Sequence, residues 1–320
     1  MNNTGGHTTQ LSPDAVQTAI DAVAWEEYMR EQQPSYLSAQ DEYFFKQSGD
    51  SKMVYVWDED SNVGSFDETE EQEDILDTDT RIGNQKTKRQ SKWTKQIPIS
   101  FEAFQTDQVG KRQKIGVQVG DRARLTQDKK TILDTYGDAF AGSINTLPDG
   151  DAWASATHTT LKGYTVDNLE TGALNADNLW TGVQTLTDQL AQDGDLGGQV
   201  FEGLVVPFIL YKTAKETMNS QLVPFSAENQ INIFDTDYGT VRIAASAFLN
   251  SAQNTNTNAN TSYHMVSRNH SASRKVLAGL STSMIEPKYT RNDNYILRAR
   301  YMESHFIETW TGYVGSNGTS

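Results

Sequence analysis

The chain has 320 residues, a formal net charge of -15, 36% hydrophobic residues and no cysteine. That length can bury one large core or two ordinary ones, and the missing cysteine excludes disulfides, thiolate metal sites and cysteine nucleophiles together. No apolar run approaches the roughly 20 residues of a membrane helix, the N-terminus has no basic patch followed by an apolar stretch, and the negative charge opposes tight wrapping of nucleic acid. A soluble protein that stays in the cytosol, away from membranes and without sequence-specific DNA binding, is expected.

Ser12-Pro13-Asp14 reads as a helix start, with a serine cap, a proline at the first helical position and an acid in the first turn. The helix should run to about Arg30 with Val16, Ile20, Val23 and Ala24 on one face. Met53-Val54-Tyr55-Val56-Trp57 is β-branched and aromatic, so it reads as a strand. Charge then segregates. From 58 to 79 every charged residue is acidic, including Asp58, Glu59, Asp60, Asp67, Glu68, Glu70 and Glu71. From 81 to 95 every one is basic: Arg81, Lys86, Lys88, Arg89, Lys92 and Lys95. Such blocks often mark solvated segments, but their adjacency predicts an acidic arm and a basic arm joined at Ile82-Gly83-Asn84 in a long hairpin that projects from the body.

A long helix is expected over residues 104–144, about 60 Å if continuous, with Ile132, Leu133, Tyr136, Phe140 and Ile144 making its second half amphipathic. Gly110, Gly116 and Gly120 in its first half each cost about 1 kcal/mol against alanine, so a bend or break is expected there. Residues 147–151 read as a turn, 175–192 as a capped helix, 203–206 as a buried strand and Pro207 as the start of another helix. Residues 231–234, 240–243 and 263–266 read as strands, 250–262 as an exposed loop, and 288–313 as two strands around Asn292-Asp293-Asn294.

Motifs for chemistry are absent. His7, His158, His264, His270 and His305 show no metal-ligand spacing, and there is no phosphate loop, dinucleotide fingerprint or nucleophile elbow. Asp149-Gly150-Asp151 lacks the spaced ligands and terminal glutamate of a calcium loop. No enzyme, cofactor or metal site is expected.

Several local patterns are similar to phage coats: Asp149-Gly150-Asp151-Ala152-Trp153 running to His158, Asn168-Leu169, Leu204-Val205-Val206-Pro207 before Ala214 and Ser220, then Trp310 and Gly315. With the element order, they make residues 43–315 resemble the major capsid proteins of tailed bacteriophages, the fold typified by phage Hong Kong 97. The resemblance implies an α+β fold with an N-terminal arm (1–45), an extended β-hairpin loop with flanking strands (46–100), a peripheral domain with a spine helix (101–164), an axial domain (165–285) and return strands (286–320). It also implies a non-catalytic head protein that assembles into hexamers and pentamers of an icosahedral virion shell around double-stranded DNA, built in the host bacterial cytoplasm.

The implied partners are copies of itself, a portal, a separate scaffolding protein or none, and DNA contacted without sequence specificity, with or without a decoration protein. The charged residues from Asp58 to Lys95 would contact neighbouring subunits, Gly110, Gly116 and Gly120 would act as a hinge, and deleting 58–95 would leave a folded subunit that cannot assemble. An encapsulin-like nanocompartment shell shares the fold. A tail-tube or connector subunit, and a carbohydrate-active extracellular or tail-associated protein using paired carboxylates, are the remaining alternatives.

Overall fold

The computed structural model describes residues 13–30, 36–49, 51–61, 81–102, 111–222, 231–254, 258–289 and 294–319. In chain order come α1 (Pro13–Tyr28), β1 (Lys46–Gly49), β2 (Val54–Asp60), β3 (Ile82–Arg89), β4 (Ser91–Ile99) and α2 (Lys111–Asp134). They are followed by β5 (His158–Thr159), β6 (Thr165–Val166), β7 (Leu169–Glu170), α3 (Ala176–Thr187), β8 (Gly203–Pro207), α4 (Tyr211–Asn219), α5 (Ile233–Thr236) and β9 (Arg242–Ser246). The last strands are β10 (Tyr263–Val266), β11 (Ala272–Ile285), β12 (Tyr295–Ile307) and β13 (Tyr313–Ser316).

Two compact units result, one from 1–31, 91–127 and 276–303, the other from 32–90, 128–275 and 304–320. In the first, β4 and β12 pair antiparallel from Tyr295↔Ile99 to Glu303↔Ser91. Directly paired residues share a face, so Ile99, Tyr295, Leu297 and Ala299 turn to one side, where Ile20 of α1 and Val119 of α2 complete a core. Gly116 and Gly120 bring the two helices together. A Cβ at Gly116 would sit 3.1 Å from the Ile20 carbonyl oxygen, and one at Gly120 would strike that of Ala24. The helix is unbroken through both positions, so the break expected there is not seen; Gly110 lies outside the described residues.

The second unit is built on a sheet in the order β7-β13-β10-β8-β9. β8 is buried throughout, as a strand covered on both faces must be. Leu204 and Val206 pack with Leu179, Val183 and Leu186 of α3 and with Ala214 and Met218 of α4. Val205 points the other way, to Tyr136, Trp153, Trp310 and Tyr313. Leu37, Phe44 and Phe45 from the expected arm join this second cluster.

Several elements depart from the sequence reading. α2 ends at Asp134, ten residues early, and its 24 residues span about 36 Å. The Asp138 carboxylate stops it by accepting from the backbone N–H groups of Ser143, Ile144 and Asn145 at 2.7 to 2.9 Å, while the Asn145 amide caps the Asp134 carbonyl. Residues 231–234 are not a strand, because the Asn232 side chain accepts from Phe234 N at 3.1 Å and starts α5. α3 stops at Thr187 rather than 192. The first strand of the final pair is β11, ending at Ile285 ahead of the expected start. Within 250–262, read as an exposed loop, Asn254 and Ala259 are buried.

Candidate assembly site

β2 and β3 form a two-stranded antiparallel ribbon in register Val54↔Arg89, Tyr55↔Lys88, Trp57↔Lys86 and Asp60↔Ile82, with a shift between Asp58 and Asp60. Ile82-Gly83-Asn84 therefore lies inside β3 and is not the turn of the hairpin. Gly83 is there for close approach: a Cβ would come within 2.6 Å of both Leu161 Cδ2 and Glu59 Oε2.

The period of two gives the ribbon different faces. On the inward face, Trp57 and Tyr55 stack on Phe306 with centroids 4.7 and 4.9 Å apart, and Lys275 lies 4.7 Å above the Tyr55 ring. Lys86 donates to Thr146 Oγ1 at 3.0 Å, and Lys88 to Asn145 Oδ1 at 2.7 Å. Burial pulls the Lys88 ammonium below its ordinary range, and Asp134 and Asp138 partly oppose this. Buried Glu59 accepts from Asn84 N at 3.2 Å; burial pushes its carboxyl up against that hydrogen bond. The outward face presents Val54, Val56, Asp58, Asp60, Ile82 and Arg89, all exposed.

The residues expected to meet a neighbour are thereby sorted. Glu59, Lys86 and Lys88 are engaged within their own subunit, because strand alternation turns them inward. Asp58, Asp60 and Arg89 are on the outward face. Arg81 precedes β3, its N–H donating to Ser61 Oγ at 2.8 Å. Lys92 and Lys95 belong to β4, not to the ribbon, and stand on opposite faces of it. Asp67, Glu68, Glu70 and Glu71 lie outside the described residues. A deletion of 58–95 would also remove β4 from its sheet, so 62–80 is the segment whose loss isolates the ribbon's end. The anchors Tyr55, Trp57 and Phe306 were missed as such; the alternation Val54-Tyr55-Val56-Trp57 was their signal.

The coat-like residues converge. Trp153 stacks on Tyr313 at 3.7 Å; its carbonyl accepts from Asn168 Nδ2 at 2.8 Å and faces His158 Nε2 at 3.2 Å. His158 Nδ1 meets Asp149 Oδ2 at 2.7 Å, its ring stacks on Trp310, and Gly315 N donates to Asn168 O at 3.0 Å. Residues scattered from 149 to 315 thus knot a turn, β13 and the approach to β7 into one piece. Asp149, Asp151 and His158 bring ligand atoms within 4.8 Å of one another. Those atoms already serve the fold, since Asp149 holds His158 and Asp151 Oδ2 accepts from Thr157 Oγ1 at 2.9 Å.

A family profile described as phage capsid protein matches residues 84–305. The chain belongs to the phage capsid protein family. No curated protein matches. Among solved structures, the mature capsid of bacteriophage PhiM1 is similar at 14% identity and a TM-score of 0.56, covering 90% of this chain and 89% of that one. The capsid of an empty GTA particle is similar at 10% identity and a TM-score of 0.56, covering 92% and 97%. The virus-like particle of Pyrococcus furiosus follows at 8% identity and a TM-score of 0.51, covering 93% and 98%. At these identities the likeness is one of fold, and it makes this phage capsid protein α+β with the Hong Kong 97-like architecture. With the family it makes the chain a structural subunit of a homo-oligomeric virion shell.

Proposed function

We propose that this capsid protein is the major head subunit, forming the hexamers and pentamers of an icosahedral shell around double-stranded DNA and doing no catalysis. The ribbon carries the reading: its inward face is bound within the subunit, while its outward face leaves Val54, Val56 and Ile82 exposed beside Asp58, Asp60 and Arg89. Apolar surface displayed among charges marks a protein contact, and the charges would set orientation and partner choice more than affinity. A chain of net charge -15 suits a container that must not adhere to the polyanion inside, contacting it without sequence specificity.

Assembly would take place in the host bacterial cytoplasm, with a separate scaffolding protein, a portal and a decoration protein as partners. Bending near Gly110, Gly116 and Gly120 between hexamer and pentamer positions would have to part α1 from α2 at the last two. Electron microscopy of the expressed protein, with and without a candidate scaffold, tests the proposal. Closed particles holding nuclease-protected DNA are expected in infected cells; particles filled with enzyme would indicate a nanocompartment, and rings or tubes a tail component. Deleting 62–80 should leave the subunit folded and stop assembly.

A further inference from the structure

His158 is fully buried, and both of its ring nitrogens face oxygens. Nε2 lies 3.2 Å from the Trp153 carbonyl, which can only accept, so in a neutral ring Nε2 carries the proton. Nδ1 then turns a lone pair toward Asp149 Oδ2 at 2.7 Å. Two acceptors do not hold one another at that distance; a positive group belongs between them.

A second carboxylate faces the same point. Asp151, half-buried, brings an oxygen within 4.8 Å of both atoms. Its Oδ2 accepts from Thr157 Oγ1 at 2.9 Å and from Ser155 Oγ at 3.3 Å, which keeps the carboxylate in place. Buried Glu59 is close enough to interact electrostatically with Asp149 and His158, so a third carboxyl adds to the negative surroundings.

A metal-bound histidine has this arrangement. One ring nitrogen points at the ion while the other donates to a backbone carbonyl, which fixes the ring and its tautomer. Here the Trp153 carbonyl is itself held by Asn168 Nδ2 at 2.8 Å. One imidazole with two carboxylates and no thiolate suits a divalent first-row transition ion, zinc foremost, whereas calcium takes oxygen ligands. We propose that Asp149, Asp151 and Nδ1 of His158 bind such an ion, which clamps the 149–151 turn to the start of β5. A second ring proton is the competing occupant. It would place a charged ring at 0% exposure and would give Asp151 no part in the contact.

Titration of the full-length subunit, first stripped with EDTA, tests this with Zn²⁺ by calorimetry and with Co²⁺ by visible absorption. A single tight zinc site and a higher unfolding midpoint are expected, with cobalt giving the absorption of a nitrogen-and-oxygen shell. Asp151→Asn should keep the metal-free circular dichroism and urea midpoint of the wild type, yet lose the cobalt absorption and at least about tenfold in zinc affinity. His158→Gln should lose both as well; if it does not fold, Asp151→Asn decides alone.

Equal zinc binding by the wild type and Asp151→Asn, or no zinc bound by either, would mean that a proton fills the contact and the proposal is wrong. Calcium binding in place of zinc would take the imidazole out of the shell and refute it equally. Each of these outcomes leaves the shell reading standing, because the formation of closed particles is scored separately.

Discussion

Replacing Gly120 by alanine separates two uses of glycine in α2. A methyl there would collide with the carbonyl oxygen of Ala24 and lie 3.1 Å from both its carbonyl carbon and Glu27 Cβ. Two of these are backbone atoms of a neighbouring helix, which no rotamer change can move. Overpacking of this kind costs about 1 to 3 kcal/mol, and a backbone collision belongs at the upper end. Alanine returns about 1 kcal/mol in helix propensity, so a net destabilisation of roughly 2 kcal/mol is expected.

Urea unfolding of the unassembled subunit should show a lower midpoint at an unchanged slope, with hydrogen exchange accelerating first over 13–28. Gly116→Ala, whose Cβ meets Ile20 O at 3.1 Å, should be near neutral as the two effects offset. If Gly120→Ala instead raises stability by about 1 kcal/mol and blocks only closure of the shell, the glycine serves bending and the close helix contact is not what it is for.

Three further outcomes follow from the ribbon and the core. Trp57→Ala removes the stacking on Phe306 and Tyr55 and should loosen the ribbon by about 1 to 3 kcal/mol, read as faster proteolysis within 53–90 while the rest of the subunit resists. Asp138→Asn takes the charge from an acceptor of backbone N–H groups, costing about 1 to 3 kcal/mol, and should raise exchange at 143–146 and in β3 together. Burial lowers His264 to about 3 and His270 to about 4, so the unfolded chain binds more protons than the folded one between those values and the ordinary 6.5. Stability should be full above about pH 6.5 and fall as pH drops through that window, by up to ~1.4 kcal/mol per pH unit per histidine; His264→Gln should flatten the profile, and an unchanged slope would contradict it.

Local signals were legible wherever chemistry and burial agreed. Pro13 starts α1, Asn175 caps α3 through Asn178 N at 2.8 Å, and the unbroken apolar run 203–206 is β8. Errors arose where a distant contact decided. Apolar periodicity continued through Tyr136 and Phe140, but Asp138 turned the chain with hydrogen bonds that no pattern displays. Gly83 looked like a turn residue, although what it avoids, Leu161, is far away in sequence. Charge segregation located the ribbon, yet charge alone could not assign sides; that needed the register, which sends Lys86 and Lys88 inward and Asp58 and Arg89 outward. The coat-like residues near Trp153 were individually weak signals whose meeting point only the fold reveals.

The two lysine tethers on the 144–146 loop have a kinetic consequence. A ribbon already held at Lys86 and Lys88 gives up little further freedom when a neighbour arrives, so less of the association energy is spent on ordering it. Encounter between subunits would then be between shaped surfaces and not between a surface and a wandering strand, which shortens the search for the correct lattice orientation. Cutting the tethers would slow nucleation more than it weakened the finished shell.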